Sequence, residues 1–406
     1  MSGTGPRVLA DRPTVRPRPA VELDEQRVPI GPAMADNGGM PTVLLGGDVM
    51  LGRGVDQILP HPGDPRLRER YVNDARTYVE LAERTYGEFT HPVGYRHLWG
   101  DVLPILAQIA PEVRLLNLET SITAGGVFAP AKGIHYRMHP DNVPALTAIA
   151  PVVCALANNH VLDFGIAGLA DTLAALDAAH IDRAGAGSDL AAARAPATVE
   201  LADGRRVVIV SVAAGSSGVP ESWSARRKRP GLWRVGYSPD AAAAEDVAAE
   251  VAAHKRDNDI GIVSVHWGPN WGYEVARTET RFAHRLIEAG VDVVHGHSAH
   301  HPRPIEIYRG KPILYGCGDV IDDYEGIRGH ERYHADLHPL YLVSLEPGSA
   351  EVRLIPLRVR HMRLEWAPRS ESRWLCEKIQ DISRGFGTLV APRPGDLPVV
   401  FSAARR

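Results

Sequence analysis

Side chains able to bind a metal or move a proton recur in this sequence directly after short apolar runs. Five such runs, at 42–45, 113–118, 152–156, 260–265 and 291–294, are predicted to be buried strands. The polar residues that follow them are Asp48, Glu119, Asn158, Asn159, His160, His266, His295 and His297. Carboxylates and amides suit hard divalent cations, imidazoles suit transition metals, and strand carboxyl ends converge on one crevice of an α/β sheet. The sequence therefore predicts one metal site.

A histidine oriented by a carboxylate is a unit for general acid–base chemistry near neutral pH. His160 and Asp163 are three residues apart at a predicted strand-to-helix turn, close enough to form such a unit. His266 and His295 come from neighbouring loops. We expect these four residues, with Asp48 beside them, to carry catalysis.

The elements that must position these residues alternate along the chain as strand, loop and helix. This order predicts a layered α/β fold in which helices flank central, largely buried β-sheets. Further strands are expected at 207–212 and 313–315, and an antiparallel pair at 341–345 and 351–359. Helices are expected at 65–90, 97–110, 142–149, 166–180, 239–257, 277–289 and 370–384.

The domain plan follows from changes in composition. Residues 1–40 are rich in Pro, Arg and Gly without periodic apolar residues, which predicts a disordered leader. One domain is expected over 41–362, with a C-terminal helix and tail over 363–406 packing on it. A long loop at 215–235 contains the basic run Arg226 to Arg229. It can be a solvated surface excursion or a lid over the site, and both remain open.

Composition excludes several classes of protein. The formal net charge of −4 provides no basis for nucleic-acid binding. Hydrophobic residues make up 44% of the chain, which is enough for an ample core and excludes a wholly disordered or fibrous protein. Cys154, Cys317 and Cys376 lie far apart, which excludes a disulfide framework or thiolate zinc site and suits a reducing compartment. We expect no membrane association and a cytoplasmic location, because long apolar runs and a signal sequence are absent from the sequence.

The polar clusters also form an ordered set of motifs over about residues 42–360. The set comprises Gly47-Asp48-Val49-Met50-Leu51-Gly52-Arg53, Asn117-Leu118-Glu119, Asn158-Asn159-His160 with Asp163 and Gly165, His266-Trp267-Gly268 with Glu274, and Gly296-His297-Ser298-Ala299-His300. This set resembles the CapA family of poly-γ-glutamate capsule synthesis proteins. The resemblance implies a calcineurin-like metallophosphoesterase fold. It adds His300 to the expected metal ligands, which are Asp48, Glu119, Asn159, His266, His297 and His300.

Two departures from the wider phosphoesterase pattern affect the metal prediction. The first motif there is Asp-x-His, whereas this chain has Met50 in place of the histidine, and Glu119 stands where a bridging Asp is usual. A pair of metals needs a complete ligand set. We therefore expect one well-held divalent ion, with Ca²⁺, Mg²⁺ or Mn²⁺ favoured over Zn²⁺ by the oxygen-rich ligands.

Two acid–base units on opposite sides of a Cα carbon would allow epimerisation, since one removes a proton and the other returns one. Some soluble CapA-like proteins resemble epimerases of lasso-peptide precursors, and this chain is similar to them in lacking a membrane anchor, in Met50 and in His295. The expected function is a metal-dependent peptide epimerase acting on a precursor's C-terminal residue. Two alternatives remain: a metallophosphoesterase, in which His160 protonates the leaving group, and a capsule-assembly protein.

A peptide carboxylate as substrate requires cationic partners. The candidates are Lys132, Arg137 and Arg53, which lie in or near the motifs. Trp271, in the loop after His266, is a candidate for stacking on a peptide side chain, although aromatic clusters are more often packing.

Overall fold

The computed structural model describes residues 41–346, 349–391 and 398–402, so the predicted leader at 1–40 lies outside the described residues. The strands are β1 (Thr42–Val49), β2 (Val113–Leu118), β3 (Ser121–Ile122), β4 (Arg137–Met138), β5 (Val153–Ala155), β6 (Asp182–Ala184), β7 (Ala186–Gly187), β8 (Ala197–Glu200), β9 (Arg206–Ala213), β10 (Gly231–Leu232), β11 (Ile260–His266), β12 (Val293–His297), β13 (Ile305–Tyr308), β14 (Lys311–Leu314), β15 (Asp319–Ile321), β16 (Leu340–Glu346), β17 (Ser349–Ile355), β18 (Leu357–Arg360), β19 (Arg363–Trp366), β20 (Thr388–Ala391) and β21 (Val399–Ser402). The α-helices are α1 (Arg53–Ile58), α2 (Arg76–Tyr86), α3 (Val102–Ile109), α4 (Pro144–Thr147), α5 (Gly165–Ala178), α6 (Leu190–Arg194), α7 (Ala241–His254), α8 (Arg277–Glu288) and α9 (Arg369–Ser383).

Two large sheets form the centre of the molecule. The first has the strand order β20-β21-β17-β16-β1-β2-β5-β6, with β15 paired to the end of β1. The second has the order β13-β14-β12-β11-β9-β8. Both are mixed, and in each the central strands are parallel: β1, β2, β5 and β6 in the first, and β9, β11, β12 and β14 in the second.

The sheets pack against each other and helices cover their outer faces. Val43 and Leu115 of the first sheet share one core with Ile209 and Ile262 of the second. Alternate residues of the same strands, such as Leu44 of β1, face a separate core that includes α3, α4 and α5. A third core lies between the second sheet and helices α7 and α8. The predicted layered α/β fold is confirmed.

Two local predictions are wrong, and both errors involve proline or side-chain competition for the backbone. The helix expected at 65–90 is limited to Arg76–Tyr86, because Asp64 and Asp74 accept hydrogen bonds from the backbone N–H groups two residues ahead. The strand expected at 351–359 is divided at Pro356, which lacks the N–H needed to continue the ladder.

The C-terminal helix α9 packs on the same core as the rest of the chain. Leu375 and Ile379 are buried with residues of both sheets, and the Ser383 hydroxyl accepts a 2.9 Å hydrogen bond from the N–H of Ile305. The hairpin β18–β19 spans the expected boundary at 362/363.

Strand register brings the polar ends of the two parallel regions together. Asp48 lies beside Asn117 of β2 and beside Asp319 of β15. His266, the last residue of β11, lies beside His297, the last residue of β12. These strand ends meet at the edge where the two sheets adjoin.

Candidate metal centre

Two groups of potential ligands share one carboxylate. The first is Asp48, His266 and His297, and the second is Asp48, His300 and Asp319. Within each group the ligand atoms lie within 4.8 Å of one another, and every member is buried. The described residues thus form a buried histidine–aspartate cluster that can bind a metal. We call this cluster the metal centre.

Glu119 and Asn159 border the first group. The Oε1 atom of Glu119 lies 3.8 Å from His266 Nε2, and Asn159 Oδ1 lies 3.1 Å from the same nitrogen. The Asn117 amide donates to Asp48 Oδ1 at 2.7 Å and to Glu119 Oε2 at 3.0 Å, which fixes the two carboxylates relative to each other. All six ligands expected from the sequence therefore lie in or beside the metal centre.

Asp319 belongs to the second group but was missed in the sequence prediction. It follows the turn Gly316-Cys317-Gly318 after β14, and its Oδ1 atom lies 3.0 Å from His300 Nδ1. Its Oδ2 atom is buried without a hydrogen-bond partner among the described residues. The position after an apolar strand was the available signal, as it was for Asp48.

Met50 is next to the second group, where the Tyr324 hydroxyl lies 3.8 Å from its sulfur. The same hydroxyl lies 3.4 Å from His300 Nε2. A thioether there contributes no charge, so His300 and Asp319 supply the ligands of this group.

The electrostatics of the metal centre are those of buried carboxyl groups without an ion-pair partner. Burial raises the pKa of Asp48 to about 7 and raises the pKa values of Glu119 and Asp319 well above the usual range. Burial also keeps the imidazoles neutral, because it lowers the pKa of His300 to about 3 and those of His266 and His297 well below normal.

Among the described residues, no Lys or Arg lies within ion-pairing distance of the carboxylates of Asp48, Glu119 or Asp319. Buried charges in proteins are normally paired or bind a metal. The orphaned oxygen of Asp319 and the neutral imidazoles therefore fit a divalent cation.

His295 supports the metal centre from behind rather than facing it. Its Nε2 atom lies 2.9 Å from the Gly46 carbonyl, which can only accept, so Nε2 carries the proton. His295 Nδ1 then accepts from Ser264 Oγ at 3.1 Å, and Ser264 accepts from His297 Nε2 at 2.9 Å. This chain puts the proton of His297 on Nε2 and the lone pair on Nδ1, which lies 2.8 Å from His266 Nδ1 and 3.7 Å from Asp48 Oδ1. This is the tautomer that a metal ligand needs.

The predicted acid–base pair is present at the rim. His160 Nδ1 lies 2.6 Å from Asp163 Oδ2, and His160 Nε2 lies 3.7 Å from Glu119 Oε1. Lys132 donates to Asp163 Oδ1 and to the carbonyl of Asn159, and its Nζ atom lies 3.1 Å from His160 Nδ1. Burial raises the pKa of Asp163 to about 6 and lowers the pKa of His160.

The other predicted substrate contacts are placed differently. Arg53 is buried, donates to Asp323 through Nε at 3.1 Å and forms an ion pair with Glu69 at 2.9 Å. Its guanidinium is thus already engaged, which corrects the expectation of a free carboxylate clamp. Arg137 pairs with Asp64 at 3.6 Å. Trp271 lies at the rim, with its ring 5.5 Å from that of His300.

The fold and the metal centre together define a layered α/β protein with potential carboxylate and imidazole ligands at the carboxyl ends of its strands. Residues 42–324 match the family described as bacterial capsule synthesis protein PGA_cap, and the chain belongs to this family.

Several named proteins are similar to this chain. It is 60% identical over 374 residues to the probable polyglutamine synthesis accessory protein of Mycobacterium tuberculosis, covering 91% of this chain and 98% of that protein. It is 24% identical to the PGA biosynthesis protein CapA of Bacillus subtilis, covering 68% of this chain and 62% of that protein. It is 23% identical to the capsule biosynthesis protein CapA of Bacillus anthracis, covering 79% and 67%.

These similarities overturn the epimerase prediction. The named relatives are described by polyglutamine, PGA or capsule synthesis, which agrees with the alternative of capsule assembly. The position of His295 points the same way, because both of its ring nitrogens are bonded inside the protein. Within the described ranges, every helix is too short or too polar to cross a lipid bilayer.

Proposed function

We propose that this protein is an accessory factor in the synthesis of a polymer of amide-linked glutamate or glutamine residues, and that the polymer binds at the metal centre. The supporting observation is the group of three buried carboxylates, Asp48, Glu119 and Asp319, with no Lys or Arg of the described residues within ion-pairing distance of them. Lys132 acts on Glu119 only from a longer distance, because it pairs with Asp163. The names of the relatives supply the polymer class.

The two ligand groups offer alternative positions for the one cation expected from the sequence. Asp48, His266 and His297, with Asn159 and Glu119 beside them, would form one position, and Asp48, His300 and Asp319 the other. Of the Ca²⁺, Mg²⁺ and Mn²⁺ that the sequence favoured over Zn²⁺, the two imidazoles in the first group favour Mn²⁺. A bound ion of this kind supplies a Lewis acid that polarises a substrate oxygen.

The rim residues would position the polymer. Lys132 holds Asp163 and the Asn159 carbonyl in place, so the His160 ring is fixed with Nε2 towards Glu119. Asn270, which is exposed, places its amide nitrogen 3.0 Å from His300 Nε2. Amide donors of this kind can bind the carbonyl groups of a chain rich in amide bonds.

A second candidate function is metal-dependent hydrolysis of the same polymer. The hydrogen bond from His160 to Asp163, next to Glu119, favours it, because such a pair can deliver a proton to a leaving group. Hydrolysis would trim or release polymer chains rather than extend them.

The accessory role is tested by gene deletion in the organism that encodes the protein. Complementation with the wild type should restore polymer production, measured as glutamate released from the purified polymer by acid hydrolysis, whereas Asp48→Asn and His297→Ala should not. His284→Gln is the matched control, since His284 is bonded to Glu306 on a different face of the second sheet. Normal polymer in the deletion strain, or full rescue by Asp48→Asn, contradicts the proposal.

The hydrolase candidate is tested with purified protein, Mn²⁺ and poly-γ-glutamate of defined length. New amino termini and shorter chains support it when they vanish with Asp48→Asn. Unchanged chain length restricts the metal centre to binding.

A further inference from the structure

The segment between β9 and β10 ends in an exposed basic turn. We define the basic turn as Arg226, Arg227, Lys228 and Arg229, of which the first three are exposed. Among the described residues, none of the four lies within ion-pairing distance of a carboxylate. Arg229 instead donates to the carbonyl of Ser222.

Other arginines near the basic turn do have carboxylate partners. Arg194 is bound by both Asp246 and Glu250 at 2.8 Å. The basic turn therefore concentrates four unpaired positive charges on a protein whose formal net charge is −4. A local field of this sign attracts polyanions and speeds their association.

The basic turn is rigidly supported. Arg226 and Arg229 exchange two backbone hydrogen bonds of 3.0 Å, and the Leu190 N–H donates to the Arg226 carbonyl at 3.0 Å. β10, directly after the turn, pairs with β7. These contacts define the conformation of the turn, and of the two possibilities left open by the sequence they favour a surface excursion.

The same segment connects the basic turn to the metal centre. Ser217 Oγ donates to the carbonyl of His266 at 3.2 Å, and Trp223 lies with its ring 5.3 Å from Lys132 Nζ. Lys132 in turn contacts the Asn159 carbonyl at the rim. Contacts of this segment, through Trp223 and Lys132, thus link the basic turn to the rim of the metal centre.

We propose that the basic turn is a docking site for an anionic carboxylate polymer and that it guides the polymer to the metal centre. The inference rests on the proposed function for its choice of polymer. One carboxylate in each repeat unit of polyglutamate matches a row of single positive charges. Because the contacts are exposed ion pairs, the attraction should weaken with salt.

The test compares polymer binding by full-length variants. The docking variant carries Arg226→Gln, Arg227→Gln and Lys228→Gln. The control variant carries Arg281→Gln, Arg369→Gln and Arg373→Gln, which remove three exposed charges on α8 and α9 that also lack ion-pair partners among the described residues. Fluorescence anisotropy with labelled poly-γ-glutamate measures the dissociation constant of each protein at low and high salt.

We expect the dissociation constant of the docking variant to be about tenfold larger than that of the wild type at low salt. This change corresponds to a few tenths to about 1 kcal/mol for each exposed ion pair. The control variant should bind as the wild type does, and the difference should shrink at high salt. Equal binding by both variants overturns docking at the turn and leaves the proposed function standing.

Two further outcomes separate the alternatives. Tighter binding of a single-stranded DNA of equal charge than of poly-γ-glutamate would make the turn a nucleic-acid surface and overturn the inference. Absence of polymer binding by the wild type, with and without Mn²⁺, overturns the proposed function together with it. Loss of binding in Asp48→Asn but not in the docking variant overturns the docking site alone.

Discussion

Two adjoining buried regions of this protein handle charge in opposite ways. In the first, which we call the Arg53 network, Arg53 neutralises Asp323 and Glu69 and stacks 3.9 Å from the ring centre of Tyr78. In the metal centre, the carboxylates of Asp48, Glu119 and Asp319 are equally buried, yet the described residues supply them with neutral imidazoles and amides.

Tyr136 and Tyr324 connect the two regions. Their hydroxyl groups lie 2.7 Å apart, and the Tyr324 hydroxyl also lies near His300. Arg53 nevertheless does not reach the ligands, because its donors are directed to Asp323, Glu69 and the Tyr78 hydroxyl. The difference shows which buried anions the fold stabilises by itself and which ones leave a position for a cation.

The largest expected effect comes from removing the carboxylate that both ligand groups share. Asp48→Asn should abolish stoichiometric metal binding. Loss of a residue that only orients a ligand weakens metal affinity by about 10–100-fold, and loss of the shared ligand itself should weaken it by about 100-fold or more. Metal content by mass spectrometry after purification measures it. Asp246→Asn, which breaks an exposed ion pair on α7, is the control and should keep the metal. Full metal content in Asp48→Asn would place the ion elsewhere.

Breaking the Arg53 network should instead destabilise the protein whether metal is present or not. Arg53→Met leaves Asp323 and Glu69 buried without a cationic partner, which costs about 3–5 kcal/mol of the free energy of unfolding. Urea unfolding with and without EDTA measures the loss. Arg194→Met, at a half-exposed pair, should cost less than about 1 kcal/mol. If the loss of unfolding free energy in Arg53→Met disappeared in EDTA, the Arg53 network and the metal centre would not be independent.

A smaller effect on metal affinity is expected from breaking the hydrogen-bond chain that supports the His297 ring. Ser264→Ala breaks the hydrogen-bond chain from the Gly46 carbonyl to His297 and should weaken metal affinity about 10–100-fold. Titration with Mn²⁺ measures the affinity. Ser344→Ala, at a buried position on β16 whose hydroxyl has no hydrogen-bond partner among the described residues, is the control. Equal affinity for both variants would show that His297 needs no such support.

The smallest expected effect is a pH dependence confined to the metal centre. In EDTA the folded protein binds a proton at Asp48 with a pKa of about 7, whereas the unfolded chain releases it near 3.8. The free energy of unfolding therefore falls as pH rises between these values, and the loss is complete above about 7.

Comparison with Asp48→Asn reports the titration of Asp48 together with its effect on the raised pKa values of Glu119 and Asp319, because the lowered pKa values of the buried histidines affect both proteins alike. The wild type should lose stability relative to the variant by on the order of 1 kcal/mol per pH unit between about pH 5.5 and 7. Saturating Mn²⁺ should remove the difference in slope, since the ion replaces the proton. If the difference in unfolding free energy between the two proteins stayed constant across this pH range, the assignment of the titration to Asp48 would be contradicted.

The composition of the metal centre was largely predictable from local sequence. Asp48, Asn159 and His266 each follow an apolar run, and a buried parallel strand that ends in a polar side chain delivers that side chain to the common edge. Asp319 obeys the same rule but follows a short strand and a glycine-rich turn, which made its strand end harder to recognise. The basic turn was visible as a charged run, although its support by Leu190 and β7 was not.

The sequence by itself determined the alternation of strands and helices, the buried ends of the strands and the residue types available there, because these depend on neighbours along the chain. Only the tertiary structure decided which charges are compensated. Arg53 meets Asp323 across 270 positions, His295 meets Gly46 across 249, and Asp48 meets no Lys or Arg among the described residues. Pairing of this kind depends on how the two sheets pack against each other. Local sequence patterns contain no information about contacts between residues so far apart in the chain.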